Sequence, residues 1–100
     1  MSTARTRPYD SADYIDTPEA AAAFLEAALE DGDPQIIAAT LGDIARSQGM
    51  AQIAERAGLT REALYKSLSV DGNPRLTTLL SVLKAMGLRL SVAVKEDVAA

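Results

Sequence analysis

The side chains best suited to chemistry lie in one short segment, and they suit hydrogen bonding to nucleic acid. Arg61 can pair with guanine O6 and N7 or with a phosphate, and Glu62 can accept from a cytosine amino group. Tyr65 can contact a thymine methyl group or a phosphate, and Lys66 suits the phosphate backbone. The candidate DNA-binding residues are Gln52, Thr60, Arg61, Glu62, Tyr65, Lys66 and Ser69.

Two short helical patterns, joined at Gly58, must position these side chains. Ala54 supplies a small residue where the two helices cross, Gly58 follows four residues later at the turn, and Leu64 anchors the second helix six residues further on. Thr60 is placed to cap that helix, and Gln52 lies near the start of the first helix, where it faces a phosphate. The pattern predicts a helix-turn-helix over residues 50–69, with its second helix in the DNA major groove.

Other interpretations of the same segment stay open. Two antiparallel helices of a bundle give a similar pattern without any role in DNA binding. Each candidate residue, taken singly, fits a solvated surface side chain, and Tyr65 also fits a half-buried core position. The hypothesis of DNA binding therefore depends on the whole set.

The composition argues against catalysis. The chain has no histidine and no cysteine, which removes the commonest general base, the thiolate nucleophile and the usual ligands of zinc. No carboxylate pair has a catalytic arrangement, so we expect no enzyme activity, no metal and no other cofactor. Residues 1–17 are polar and do not resemble a signal peptide, and no apolar run reaches the length of a membrane helix. We expect a cytoplasmic protein without a membrane partner.

Charge divides the chain into two parts. Residues 1–35 carry two basic and eight acidic residues, a net charge of −6, whereas residues 36–100 carry eight basic and six acidic residues, a net charge of +2. The later part is therefore better suited to a phosphate surface. Such asymmetry suggests two partners of opposite charge.

Helical periodicity and capping residues predict five helices. These are expected from Thr17-Pro18 to about Glu30, from Pro34 to Gln48, from Met50 to Ala57, from Arg61 to Leu68 or Ser69, and from Arg75 to Met86. We expect a flexible N-terminal arm over residues 1–16, a helical DNA-binding domain over residues 17–87, and a tail over residues 96–100.

Residues 88–95 differ from the helical part of the chain, because apolar and polar residues alternate as in a β-strand. A single strand needs a partner for its backbone. No other segment has this pattern, so we expect the same strand of a second copy to pair with it antiparallel across a two-fold axis. The predicted dimerisation residues are Leu88, Leu90, Val92 and Val94.

Several segments together resemble the addiction-module antidote family, the HigA-like bacterial antitoxins with a helix-turn-helix of the phage-repressor (Xre/Cro) class. The resemblance covers nearly the whole chain. It is carried by Tyr14–Asp16, Pro18–Glu19, EDGDP (30–34), LGDIARSQGM (41–50), IAERAGLTREALYKSLS (53–69), GNP (72–74) and LKAMGLRL (83–90). It implies a mainly α, lambda-repressor-like fold, a homodimer that represses its own operon by binding operator DNA, and a small basic toxin of the RelE/ParE type as partner.

The acidic N-terminal third is the expected binding surface for such a toxin, and its candidate contact residues are Tyr9, Tyr14, Ile15 and Phe24. A solubilising arm and cap helix would show the same charge. A stand-alone phage-type transcriptional regulator is the alternative function, and an interaction module that has lost DNA binding is a third.

Overall fold

The computed structural model describes residues 15–96, and this part of the chain contains five helices joined by short connections. The mainly helical prediction is confirmed. Helix α4 ends at Ser67, earlier than predicted, and α5 begins and ends one residue inside its predicted limits. The helices are α1 (Pro18–Asp31), α2 (Pro34–Gln48), α3 (Met50–Ala57), α4 (Arg61–Ser67) and α5 (Leu76–Ala85).

The first two helices begin at capping residues that the sequence supplies in the expected order. The Thr17 hydroxyl oxygen accepts from the backbone N–H of Ala20 at 3.2 Å, and the Asp33 carboxylate accepts from that of Gln35 at 2.9 Å. A proline follows each cap, where the missing N–H costs no hydrogen bond. The tight α1–α2 connection therefore results from local chemistry.

One apolar core lies between the helices, and α3 is at its centre. Helix α3 packs on α5, α2 and α4, while α1 packs on α2. Ile53 and Leu64 are fully buried in this core. Ile15 is 4% exposed and packs there too, so the segment that precedes α1 is anchored before the first helix begins.

The predicted C-terminal strand is not supported. Residues 88–95 form no helix and no strand, because no other segment within residues 15–96 lies beside them to complete a β-ladder. Leu88 packs against the core, whereas Val92 and Val94 are 98% and 87% exposed. Within residues 15–96, residues 88–95 are therefore not part of a β-sheet.

Two further features concern the expected lack of a membrane partner and of a bound metal. Across residues 15–96, no helix has the length and apolar character needed to cross a membrane. The same residues hold no group of three or more metal-ligating side chains placed to bind an ion.

Candidate nucleic-acid interface

The connection between α3 and α4 is a tight turn of three residues. Gly58 has φ of 75°, in the left-handed region that favours glycine. Its N–H donates to the Glu55 carbonyl at 3.2 Å, and the N–H of Leu59 donates to the Ala54 carbonyl at 2.8 Å. This pair of hydrogen bonds is the Schellman arrangement, which satisfies the last carbonyls of α3. The half-buried Leu59 packs against the core and holds the turn in place.

Thr60 begins α4. Its hydroxyl oxygen accepts from the backbone N–H of Ala63 at 3.0 Å, so this oxygen is used in the N-cap. The hydroxyl proton is left to donate to an external acceptor. The predicted cap is therefore present, and a contact between Thr60 and DNA would have to use that proton.

The α3–α4 unit, residues 50–67, buries one side and exposes the other. Ala54 is 2% exposed and Leu64 is fully buried, so the two predicted packing positions lie inside. Tyr65 is 44% exposed, which favours a surface role over a core role. Four side chains share the solvent face of α4: Arg61, Glu62, Tyr65 and Lys66.

Gln52 is exposed in the first turn of α3. Its side chain lies back toward Gly49, since the Gln52 Oε1 atom would be 3.5 Å from a Cβ built on that glycine. The side chain therefore stays at the N-terminal end of α3, where the first backbone N–H groups of a helix have no intrahelical acceptor. This location is compatible with the predicted phosphate contact.

Ser69 lies beyond α4, in the turn that follows it. Its hydroxyl donates to the Lys66 carbonyl at 3.1 Å. Gly72 approaches the same end of the helix, because a Cβ built on it would overlap the Ser67 carbonyl. The loop over residues 70–74 therefore lies against the end of α4.

Arg75 follows this loop and is not among the predicted DNA-binding residues. Arg75 is exposed and directly precedes α5, whose first turn has no side-chain cap. A cation and free helical N–H groups thus follow the end of α4. The sequence signal is an arginine at the N-cap position of α5, where Ser, Thr, Asp or Asn would cap the helix.

Other cations are engaged within the protein. Arg46 pairs with Asp43 on α2. Arg56 donates from Nη1 to the Ala85 carbonyl at 3.5 Å, and so joins α3 to the last turn of α5. The latter contact places a positive charge at the negative end of the α5 dipole. These two cations have structural contacts away from the α4 solvent face.

Helix α1 and its flanking residues have the opposite charge. Between Ile15 and Ala45 there is no Lys or Arg, whereas the acidic residues there are Asp16, Glu19, Glu26, Glu30, Asp31, Asp33 and Asp43. Of the candidate toxin contacts, Phe24 is half-buried against the core and Ile15 is buried within it. Tyr9 and Tyr14 lie outside the described residues.

Comparison with known proteins assigns the family. A family model with the description "Probable addiction module antidote protein" matches residues 5–94. The chain is similar to an uncharacterized protein of Haemophilus influenzae, with 39% identity over 90 residues, which is 90% of this chain and 93% of that protein. No solved structure matches the chain. The match covers most of the chain, which belongs to the addiction-module antidote family.

Proposed function

We propose that the protein is the antitoxin of a type II toxin–antitoxin module, which neutralises a small basic RelE/ParE-like toxin and represses its own operon by binding DNA. Membership of the antidote family implies a toxin partner and supports the first role. The second role is supported by one observation above all: α4 is anchored by the buried Leu64 while its polar side chains face solvent together. Such a function belongs to the bacterial cytoplasm.

In this proposal the α3–α4 unit is a helix-turn-helix and α4 is its recognition helix. Seven residues at about 1.5 Å each give a helix roughly 10 Å long, which fits a major groove about 12 Å wide. Arg61 and Glu62, in the first turn, are assigned to base edges, and Tyr65 to a thymine methyl group or a phosphate. Contacts to the phosphate backbone come from Gln52, Thr60, Lys66, Ser69 and Arg75.

Specific binding requires two copies, because one short helix with two cations makes too few contacts. We assign dimerisation to residues 88–95, paired antiparallel with the same residues of a second copy. The exposure of Val92 and Val94 supports this assignment, since both would lose contact with water. A two-fold axis would place the two recognition helices about 34 Å apart, one turn of DNA.

The toxin-binding surface is assigned to the acidic side of α1. Glu19, Glu26 and Glu30 are exposed there, and their field would attract a basic protein. Phe24, Tyr9 and Tyr14 remain candidate contacts. Ile15 is not part of this surface, because its side chain is buried in the core.

DNA binding can be tested by fluorescence anisotropy with the protein's own promoter over a range of salt concentrations. We expect log K to fall linearly with log salt, because phosphate contacts release counterions. Affinity that is equal for promoter and unrelated DNA, or that does not depend on salt, would contradict the repressor role.

Toxin binding can be tested by co-purification with the product of the neighbouring gene. The combined substitution of Glu19 and Glu30 by Gln should weaken the complex by roughly tenfold, mainly through slower association. The matched control replaces the exposed acids Glu55 and Asp71 by neutral amides, with the same change in net charge. Removal of residues 1–14 tests the arm without disturbing the buried Ile15.

A stand-alone transcriptional regulator remains the alternative function. The absence of a toxin-sized reading frame beside the gene, together with specific promoter binding, would favour it.

A further inference from the structure

An apolar groove runs between α1 and the C-terminal segment. It has a volume of about 280 Å³, and its apolar walls include Leu25 and Leu29 of α1, Leu83 of α5, and Leu88 and Leu90. Glu26, Arg89 and Ser91 also line it. Leu29 is 48% exposed and Leu90 is 45% exposed. Within residues 15–96 this groove is therefore only partly covered.

The same chain carries two large apolar side chains that cover nothing. Val92 and Val94 continue the even-numbered face of the segment that begins with Leu88 and Leu90. Leu88 packs on the core and Leu90 lines the groove. Leu88 and Leu90 thus lie toward the helices where the segment leaves α5, and Ser91 and Ala93 line the groove further along.

Antiparallel pairing across a two-fold axis determines the position of the second copy's Val92 and Val94. A two-fold axis perpendicular to an antiparallel ribbon places the even-numbered side chains of both strands on the same face of the ribbon. Even-numbered residues of one strand therefore lie opposite even-numbered residues of the other. The even-numbered residues of both copies then form one continuous apolar face. In the register that pairs Val92 and Val94 of the second copy with Leu90 and Leu88 of the first, the two valines lie on the side of the ribbon where Leu88 and Leu90 face the helices.

We propose that the groove between α1 and the C-terminal segment is the seat for Val92 and Val94 of a second copy of this chain. The inference rests on the proposed dimer and adds α1 to its interface. It makes the interface reciprocal, since each copy contributes one groove and one pair of valines.

The low stability of an isolated two-stranded ribbon favours the second copy's valines as the occupant of the groove. Two paired strands are marginally stable in water unless they pack against another element. A strand of eight residues is roughly 27 Å long, so a ribbon contact alone covers a few hundred Å², whereas a stable interface buries about 800 Å² on each partner. The groove supplies a helical surface directly beside the ribbon.

Disulfide trapping tests the proposal directly, because the chain contains no cysteine. Leu29→Cys and Val94→Cys are made as separate variants with tags of different mass, mixed to allow subunit exchange, and oxidised. We expect a mixed disulfide between the two variants. The control partner for Val94→Cys is Val70→Cys, which is 51% exposed but lies beyond the end of α4.

A second measurement does not depend on disulfide geometry. Sedimentation equilibrium of Leu29→Lys should show a dimer dissociation constant at least roughly tenfold higher than that of wild type, because a charge would be buried in the interface. Val70→Lys should leave the constant unchanged, and circular dichroism should show that both variants keep their helices.

The outcomes separate the two proposals. A monomeric wild-type protein would overturn the dimer of the proposed function and this inference with it. If the wild type is dimeric, while Leu29→Lys dimerises normally and Val94→Cys does not couple to Leu29→Cys in preference to Val70→Cys, only the seating of the valines in the groove is overturned.

Discussion

Gly42 in α2 lies directly against the backbone carbonyl of Leu68, which caps the C-terminal end of α4. A Cβ atom built on Gly42 would stand 2.5 Å from the Leu68 oxygen, too close for any unstrained contact. Two residues 26 positions apart in sequence therefore meet backbone to backbone. This contact fixes the position of α4 against α2, and with it the direction of the proposed recognition helix.

Gly42→Ala should destabilise the protein. Alanine favours a helix interior over glycine by about 1 kcal/mol, but overlap with a backbone carbonyl costs about 1–3 kcal/mol and cannot be relieved by a rotamer change. We expect a net loss in the free energy of unfolding, measured by urea denaturation. Ser81→Ala, at an exposed position in α5, is the control and should change stability little. If Gly42→Ala and wild type have the same free energy of unfolding, α4 can move away from α2 without loss of stability.

Thr60→Ala and Thr17→Ala should cost a similar amount of stability but differ in their effect on DNA binding. Each removes an N-cap hydrogen bond, of 3.0 Å at Thr60 and 3.2 Å at Thr17, and such a loss costs about 1 kcal/mol. Only Thr60→Ala loosens the start of α4. Anisotropy titrations on promoter DNA should therefore show weaker binding for Thr60→Ala alone. Equal DNA affinities of the two variants would argue against α4 as the recognition helix.

Arg61→Gln and Lys66→Gln should weaken DNA binding in distinguishable ways. Loss of a base contact at Arg61 should cost about 1–3 kcal/mol and reduce discrimination between promoter and unrelated DNA, whereas loss of a phosphate contact at Lys66 should weaken both and lower the salt slope by about 1. A loss of affinity that is equal on promoter and unrelated DNA for both variants would point to nonspecific charge.

Gln48→Met should stabilise the protein. The side-chain amide nitrogen of Gln48 is buried and has no hydrogen-bond partner among residues 15–96, and a buried unsatisfied polar group costs about 1–3 kcal/mol. Methionine has nearly the same shape without the polar atoms. We expect the free energy of unfolding to rise by about 1 kcal/mol, while Gln35→Met, at an exposed position, should have little effect. A loss of stability in Gln48→Met would show that the amide has a partner in the native protein.

The helices could be predicted because their ends depend on neighbouring residues. Thr17, Asp33 and Thr60 cap α1, α2 and α4 as their sequence positions suggest, and Gly58 adopts the positive φ that the turn requires. Ala54 and Leu64 are buried as the pattern predicted. All these features are decided within a few residues of the chain.

Features that depend on distant residues could not be predicted in this way. The sequence around Gly42 does not show that Leu68 lies against it, and Ile15 looked like part of a free arm although its side chain is buried. The alternation in residues 88–95 predicts a strand that the structure does not contain, because a β-ladder needs a second segment and residues 15–96 supply none. Arg75 was not considered for DNA binding, because only the fold brings the loop before it to the end of α4.

The link from Arg56 to the Ala85 carbonyl has a consequence for operator choice. Helix α3 packs on both α4 and α5, and α5 leads directly into the segment assigned to dimerisation. In the proposed dimer, the packed helices α3, α4 and α5 then set the distance between the two recognition helices, with no flexible linker between them. Such a protein would tolerate base changes within a half-site better than the insertion of one base pair between half-sites, so the spacer length would be the strictest element of its operator.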